Sequence, residues 1–373
     1  MEPFKEVFHR KAISAMGRVF ARQSKDFDEK RFMALAAKDL DALELKQRSE
    51  QIYCALVTML PDDFPTAARI IRATLHPALD ANAQKLGVTD DGIQGWMIMP
   101  LAEYAGRQGI DHIPIALDLL KEFTMRFTSE FGIRHLWLAR PHEVLPIVAT
   151  WTTHENEHVR RLVSEGSRPR LPWGMQLPAF IVEPMTTLPL LTALRDDPSP
   201  YVRRSVANHL NDIAKDHPAL VLSIAQKWHR RAPIERQRLL RHALRNLLKQ
   251  GHSAALALYE LLPPKLAKAT LTLVQTQIPM GGELSFTLDL RALELQPQRL
   301  RLDIVMHYQK ANGSLAPKVF RWKDITLAPG ERHSATRRQS FRPITTRVYH
   351  TGLHRLEIKA NGLVIAGADF TLV

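Results

Sequence analysis

Val159-Arg160-Arg161-Leu162-Val163-Ser164-Glu165 and Val202-Arg203-Arg204-Ser205-Val206-Ala207-Asn208 align at a spacing of 43 residues. A looser copy, Leu240-Arg241-His242-Ala243-Leu244-Arg245-Asn246, follows after 38 more. Each copy trails an apolar stretch of helical character: Val144 to Trp151, Leu188 to Leu194, and Leu220 to Trp228. A single pair of helices cannot bury both of its faces, so pairs that recur at this period stack into a solenoid with the second helices on its concave side. Arginine returns at the same place in each copy. That recurrence predicts an arginine ladder along the concave surface, suited to a run of phosphates.

Outward from these copies, residues 1–265 read as helical. Phe32, Leu35, Leu40, Leu43, Leu45, Ile52, Leu56 and Leu60 keep helical spacing from Arg31 onward. The breaks are short and polar or proline-marked, as at Pro61-Asp62-Asp63, Asp196-Asp197-Pro198-Ser199-Pro200 and His217-Pro218. A two-helix unit of this length is the mark of HEAT-type repeats. Past Pro263-Pro264 the pattern turns to alternation (Leu271, Leu273; Leu300, Leu302, Ile304, Met306), punctuated by Gly281-Gly282, Pro329-Gly330 and Asn361-Gly362. Asn361-Gly362 between two alternating runs is a hairpin signal. About seven short strands fit residues 266–373 as an immunoglobulin-like β-sandwich, with Tyr349, Gly352 and His354 placed like a tyrosine corner. The fold class expected is mainly α: a helical solenoid over 1–265, then the sandwich.

The chain has 373 residues and a formal net charge of +13, with 45% hydrophobic residues, which excludes a disordered or collagen-like chain. The excess is uneven: residues 1–153 carry −1, residues 154–250 carry +7 and residues 268–373 another +7. A polyanionic partner is the natural reading. Cys54 is the one cysteine, so neither an intrachain disulfide nor a cysteine zinc site can form. With no signal-peptide pattern and no run of about 18 apolar residues, the expectation is a soluble cytoplasmic protein, nucleoid-associated when bound to DNA, with no membrane partner.

Three segments could carry chemistry. His154-Glu155-Asn156-Glu157-His158 matches the H-E-x-x-H zinc pattern, which works only on a helix. Repeat alignment sets it against the proline-containing turn at 197–201, so a metal site is not expected. In the second segment Arg160, Arg161, Arg168 and Arg170 cluster around Glu165 and end at Trp173. Four arginines against one carboxylate exceed what packing needs. Third, Lys121 to Arg134 reads as one helix, with Glu122, Arg126 and Glu130 on one face and Phe123, Phe127 and Phe131 beside it as core.

Glu-Phe-Thr-x-Arg-Phe-x-Ser-Glu-Phe from Glu122 and Ser-Glu-Gly-Ser-Arg-Pro-Arg-Leu-Pro-Trp from Ser164 resemble the AlkC branch of the HEAT-like-repeat alkylpurine DNA glycosylases. The helices around Val202–Ile213 and Arg241–His252 are similar to that superfamily, and one AlkC subgroup also carries an immunoglobulin-like domain. The resemblance implies a monofunctional enzyme without a cofactor, acting as a monomer on duplex DNA containing alkylated bases. It implies removal of cationic N3-alkylated bases, 3-methylcytosine and 3-methyladenine among them, without flipping the base. Glu122 is then the first candidate for the catalytic carboxylate, Glu165 the second and Glu157 a substitute. Trp151 and Trp173 are the candidate aromatic contacts to the lesion. Arg126, Arg160, Arg161, Arg168, Arg170, Arg203, Arg204, Arg241 and Arg245 are the expected phosphate contacts, and Asn208 reaches backbone or sugar. In the sandwich Arg337, Arg338, Arg342 and Arg347 are expected to grip the duplex. Two other readings compete: a non-catalytic binder of damaged or branched DNA, and a protein-interaction scaffold.

Overall fold

A computed structural model of the chain describes residues 4–77, 87–89, 91–293, 296–345 and 347–373. Its helices are α1 (Arg10–Gln23), α2 (Glu29–Ala36), α3 (Leu45–Met59), α4 (Phe64–Ala73), α5 (Ile98–Gln108), α6 (Ile113–Thr124), α7 (Ile133–Ala139) and α8 (Pro141–Thr150). They continue with α9 (Glu157–Gly166), α10 (Pro178–Val182), α11 (Leu188–Leu194), α12 (Pro200–Ile213), α13 (Pro218–His229), α14 (Ile234–Ala243), α15 (Arg245–Gln250) and α16 (Ser253–Ala257). Strands follow: β1 (Leu266–Leu273), β2 (Gln277–Ile278), β3 (Glu283–Ala292), β4 (Gln298–Gln309), β5 (Leu315–Leu327), β6 (Arg332–Ser340), β7 (Gly352–Ala360) and β8 (Leu363–Leu372). The chain is thus mainly α, a HEAT-like-repeat solenoid followed by an immunoglobulin-like sandwich.

By internal contacts the chain divides into two compact units, residues 1–217 with 231–243, and residues 218–230 with 244–373. In the first unit α1, α4, α6 and α8 pack in succession as one layer. A second layer runs α3, α5 and α7, and continues with α9, α12 and α14 packed in turn. The repeat register holds to the residue, since α9 opens at Glu157 and α12 at Pro200. Local chemistry sets these starts. Asn156 caps α9 through its side chain, accepting from the His158 N–H at 2.9 Å. Asp197 accepts from the Ser199 N–H at 2.8 Å, just ahead of Pro200 in the first turn of α12.

Two helical expectations are corrected. The run from Arg31 is broken between α2 and α3, where Asp39 takes a left-handed conformation at φ 46°. The single helix expected over Lys121–Arg134 ends at Thr124 and resumes at Ile133. Tertiary contacts override the local preference. Gly132 lies so close to α5 that an added Cβ would stand 2.1 Å from the Ala102 carbonyl oxygen, and Gly106 meets Gly132 in the same way. Ser129, fully buried, donates to the Leu120 carbonyl at 2.8 Å and fixes the reversal.

In the second unit a three-stranded sheet (β1-β3-β6) faces a five-stranded one (β2-β8-β7-β4-β5) across a shared apolar core. The β7–β8 hairpin turns on Asn361 (φ 47°) and Gly362 (φ 84°), two consecutive left-handed residues as a type I′ turn requires. Asn361 also donates to the Leu262 carbonyl at 2.6 Å, and Gly362 lies against Gly251. Tyr349 forms no corner: its ring packs on Tyr308 and Phe341, and among the described residues its hydroxyl bonds no backbone group.

A candidate carboxylate–arginine active site

Glu165 ends the core-facing side of α9 and is only 5% exposed. Its Oε1 accepts from Arg168 at 2.6 Å and lies 3.6 Å from Arg161; its Oε2 accepts from the Ser205 hydroxyl of α12 at 2.6 Å. Burial pushes this carboxyl up, but Arg161, Arg168 and the Ser205 hydrogen bond outweigh it and hold Glu165 below the ordinary carboxylate value. Arg168 in turn donates to Asp212 at 2.7 Å, and Asp212 also receives Lys215 at 3.0 Å.

Arg161 joins this group to a second carboxylate. It pairs with Glu130, which reaches the site from the loop between α6 and α7, and donates to Thr128 at 3.0 Å. Its guanidinium carbon lies 5.2 Å from the centre of the Tyr201 ring, which meets His158 edge-on. Thr128 and Arg161 both contact Oε2 of Glu130, and among the described residues Oε1 has no partner. Glu130 and Glu165 therefore share one arginine in a nearly closed setting. A fixed pair of anions beside a guanidinium can stabilise a cation developing next to them and orient a water.

Glu122 stands elsewhere. It closes α6 in the other helical layer and accepts from Arg72 of α4 at 2.7 Å, in a network with Asp118 and Lys121. No residue is common to this network and that of Glu165. The shared face expected for Glu122, Arg126 and Glu130 is lost with the helix that would have carried it. Glu157 begins α9 and is bonded by the Ser199 hydroxyl in the turn before α12.

The aromatic candidates separate. Trp151 is 5% exposed in the core, so its ring cannot stack on a base. Trp173 is 69% exposed, on the loop after α9, with φ 64°. Lys46 donates to its carbonyl, and Arg134 fixes the loop by donating to the Met175 carbonyl at 2.6 Å and the Gly166 carbonyl at 3.2 Å.

The arginine ladder is corrected as well. Arg160 donates to the carbonyls of His154 and Glu155, each at 2.8 Å, and grips Asp197 with Nε at 2.7 Å and Nη2 at 3.1 Å. Arg203 donates to the carbonyls of Asp197 and Pro198, at the same offsets in its own repeat. The repeated arginine thus clamps the turn ahead of its helix. Arg126 is buried on the carbonyls of His76 and Glu122, and Arg168 is buried between carboxylates. Arg170 holds Asp216 at the surface, and Asn208 bonds His242 at 3.0 Å. Arg241 and Arg245 are half-buried, whereas Arg204 is exposed without an ion pair among the described residues. In β6 Arg337 lies opposite Phe286 on the core-facing side of the sheet and Arg338 on the outer side near Glu283, so adjacent arginines point apart. Arg342 is exposed, and Arg347 covers the Tyr308 ring at 4.4 Å.

His154 precedes α9 while His158 lies in its first turn, so the zinc-like spacing does not form one helical face. Among the described residues no three of His, Cys, Asp and Glu are grouped as a metal ion would need, and no helix is long and apolar enough to cross a membrane.

HEAT-like repeats with an arginine-bridged carboxylate pair, followed by an immunoglobulin-like domain, define a helical-repeat protein with a buried acidic site. Comparison supplies its family. The chain is 35% identical over 373 residues to "Uncharacterized protein YhaZ" of Bacillus subtilis (strain 168), covering 99% of both chains. It matches the Pseudomonas fluorescens alkylpurine DNA glycosylase AlkC, solved bound to DNA containing an abasic site analog, with TM-score 0.87 and 33% identity over 100% of both chains. Residues 267–373 match the family described as "Uncharacterised protein YhaZ, C-terminal Ig-like domain". The chain belongs to the AlkC-type alkylpurine DNA glycosylase family, in the subgroup with a C-terminal immunoglobulin-like domain.

Proposed function

We propose that the chain is a monofunctional DNA glycosylase that hydrolyses the N-glycosidic bond of cationic N3-alkylated bases, such as 3-methyladenine and 3-methylcytosine, in duplex DNA. An N3-alkylated base already carries a positive charge, so it leaves as a neutral base when the C1′–N electron pair moves onto the ring. No acid is needed for the leaving group. What remains is an oxocarbenium-like sugar and a water that must add to C1′ and lose a proton. The observation that carries the reading is the shared setting of Glu130 and Glu165 around Arg161, in a chain that matches AlkC along its whole length.

The two carboxylates divide the work. Both oxygens of Glu165 are occupied by donors, so it acts as fixed negative charge beside the sugar. Oε1 of Glu130 is left to accept from the attacking water. Trp173, presented outward, supplies an aromatic face to which a cationic base is drawn; the lesion then stays in the stack and is approached from the groove. Arg204, Arg170, Arg338 and Arg342 are the surface cations assigned to phosphates of duplex DNA. The protein acts as a monomer in the cytoplasm, without a cofactor.

Release of free bases from methylated DNA, followed by chromatography and mass spectrometry, tests this. Glu165→Gln and Glu130→Gln should each slow release by roughly 100-fold or more, with DNA affinity retained, while Glu122→Gln stays near wild type. Tight DNA binding with no release by the wild-type protein would instead support the non-catalytic binder.

A further inference from the structure

Ser205 lies on α12, buried, across from the end of α9. Its Oγ is 2.6 Å from Glu165 Oε2 and 3.0 Å from Ser164 Oγ. A serine hydroxyl has one proton, and the shorter contact to an ionised oxygen claims it. Ser205 therefore donates to Glu165, with the Ser164 hydroxyl beside it. The backbone of α9 beside this contact is itself held, because His209 Nδ1 bonds the Ser164 carbonyl at 3.0 Å. On the other carboxylate oxygen Arg168 is braced by Asp212.

We infer that Ser205 is a positioning residue for the reaction: its hydroxyl fixes the orientation of the Glu165 carboxylate and favours its ionised form. The inference rests on the proposed glycosylase activity, with Glu165 as the anion beside the sugar. Arg168 performs a similar task, but removing it would take a charged partner from two buried carboxylates at once. Ser205 can lose its hydroxyl without stranding a charge, so its effect on Glu165 can be read separately from folding. The charged or titratable groups facing Glu165 are Arg161 from α9, Arg168 from the following loop, Asp212, His209 and Tyr201 from α12, Glu130 from the α6–α7 loop and Arg134 from α7.

The test uses the full chain with Ser205→Ala, Ser205→Thr and Ser205→Cys. Single-turnover base release from methylated DNA is followed across pH, and the Glu165 carboxyl is titrated by carbon NMR with Glu165→Gln as the assignment control. A hydrogen bond to a charged group predicts that Ser205→Ala moves the acid limb and the Glu165 titration upward by about one pH unit. Release below that limb falls about ten-fold, with KM for DNA unchanged, and Ser205→Thr restores both. Ser205→Cys, which keeps the side-chain shape with a larger atom and a weaker donor, falls between; it takes the place of Ser205→Ala should that variant fail to fold. An unmoved Glu165 titration, or a loss of rate equal at every pH and not restored by threonine, overturns the inference. Wild-type protein that releases no base overturns the proposed function instead, and the NMR titration still decides the role of Ser205.

Discussion

Arg160 and Arg204 show how neighbouring positions of one repeated motif come to do opposite things. Arg160 is nearly enclosed and neutralises Asp197, itself buried at the start of the next repeat. Arg204 points to water and balances nothing nearby among the described residues. Truncating Arg160 leaves a buried carboxylate unpaired and should destabilise the fold by about 3 kcal/mol. Arg204→Ala should leave the melting temperature unchanged while reducing the salt dependence of DNA binding by roughly one phosphate contact. Thermal unfolding and DNA affinity measured over a salt series check both outcomes. Alignment could show that arginine recurs, but not that its donors point backward to carbonyls six and five residues upstream. That knowledge needs the turn geometry, which depends on Asp197 in the following repeat.

At the scale of helices, the link between α6 and α7 decides which glutamate enters the site. The stretch Leu119-Leu120-Lys121-Glu122-Phe123 has every local reason to continue as a helix, and nothing in its composition marks the break after Thr124. The break comes from Gly132 fitting against α5, a contact visible only once α5 is in place. Glu130 was therefore legible only as the third member of a helical row, while Glu165 was legible directly, as the lone acid among arginines. Gly132→Ala tests the link. The added methyl collides with the Ala102 carbonyl, and relieving it should cost about 1–3 kcal/mol and shift Glu130. Urea unfolding should show the loss, and base release should fall in the still-folded protein. The repeat frame and the β7–β8 hairpin, by contrast, were plain in the sequence, because each depends on residues close together in the chain.

For the molecule as a whole, the same core that encloses the site makes folding depend on acidity. His209 is fully buried, and burial brings its pKa down to about 4, so it is neutral in the folded chain. Unfolding returns it to the ordinary value near 6.5. Between these values the unfolded chain binds the extra proton, so stability is complete above about pH 6.5 and declines as pH falls toward 4. The expected loss is roughly 2 kcal/mol between pH 7 and pH 5, read from urea midpoints at the two pH values. His209→Gln should flatten that slope even though it weakens the protein at neutral pH.

Trp173 adopts a backbone conformation that an indole-bearing residue disfavours by about 1–2 kcal/mol, and most of its ring faces water. A chain shaped for endurance alone would carry glycine there. Lys46 and Arg134 nonetheless keep the loop in this posture. The ordering that an aromatic contact would otherwise demand at the moment of encounter has been completed during folding, so whatever meets this ring finds it already set.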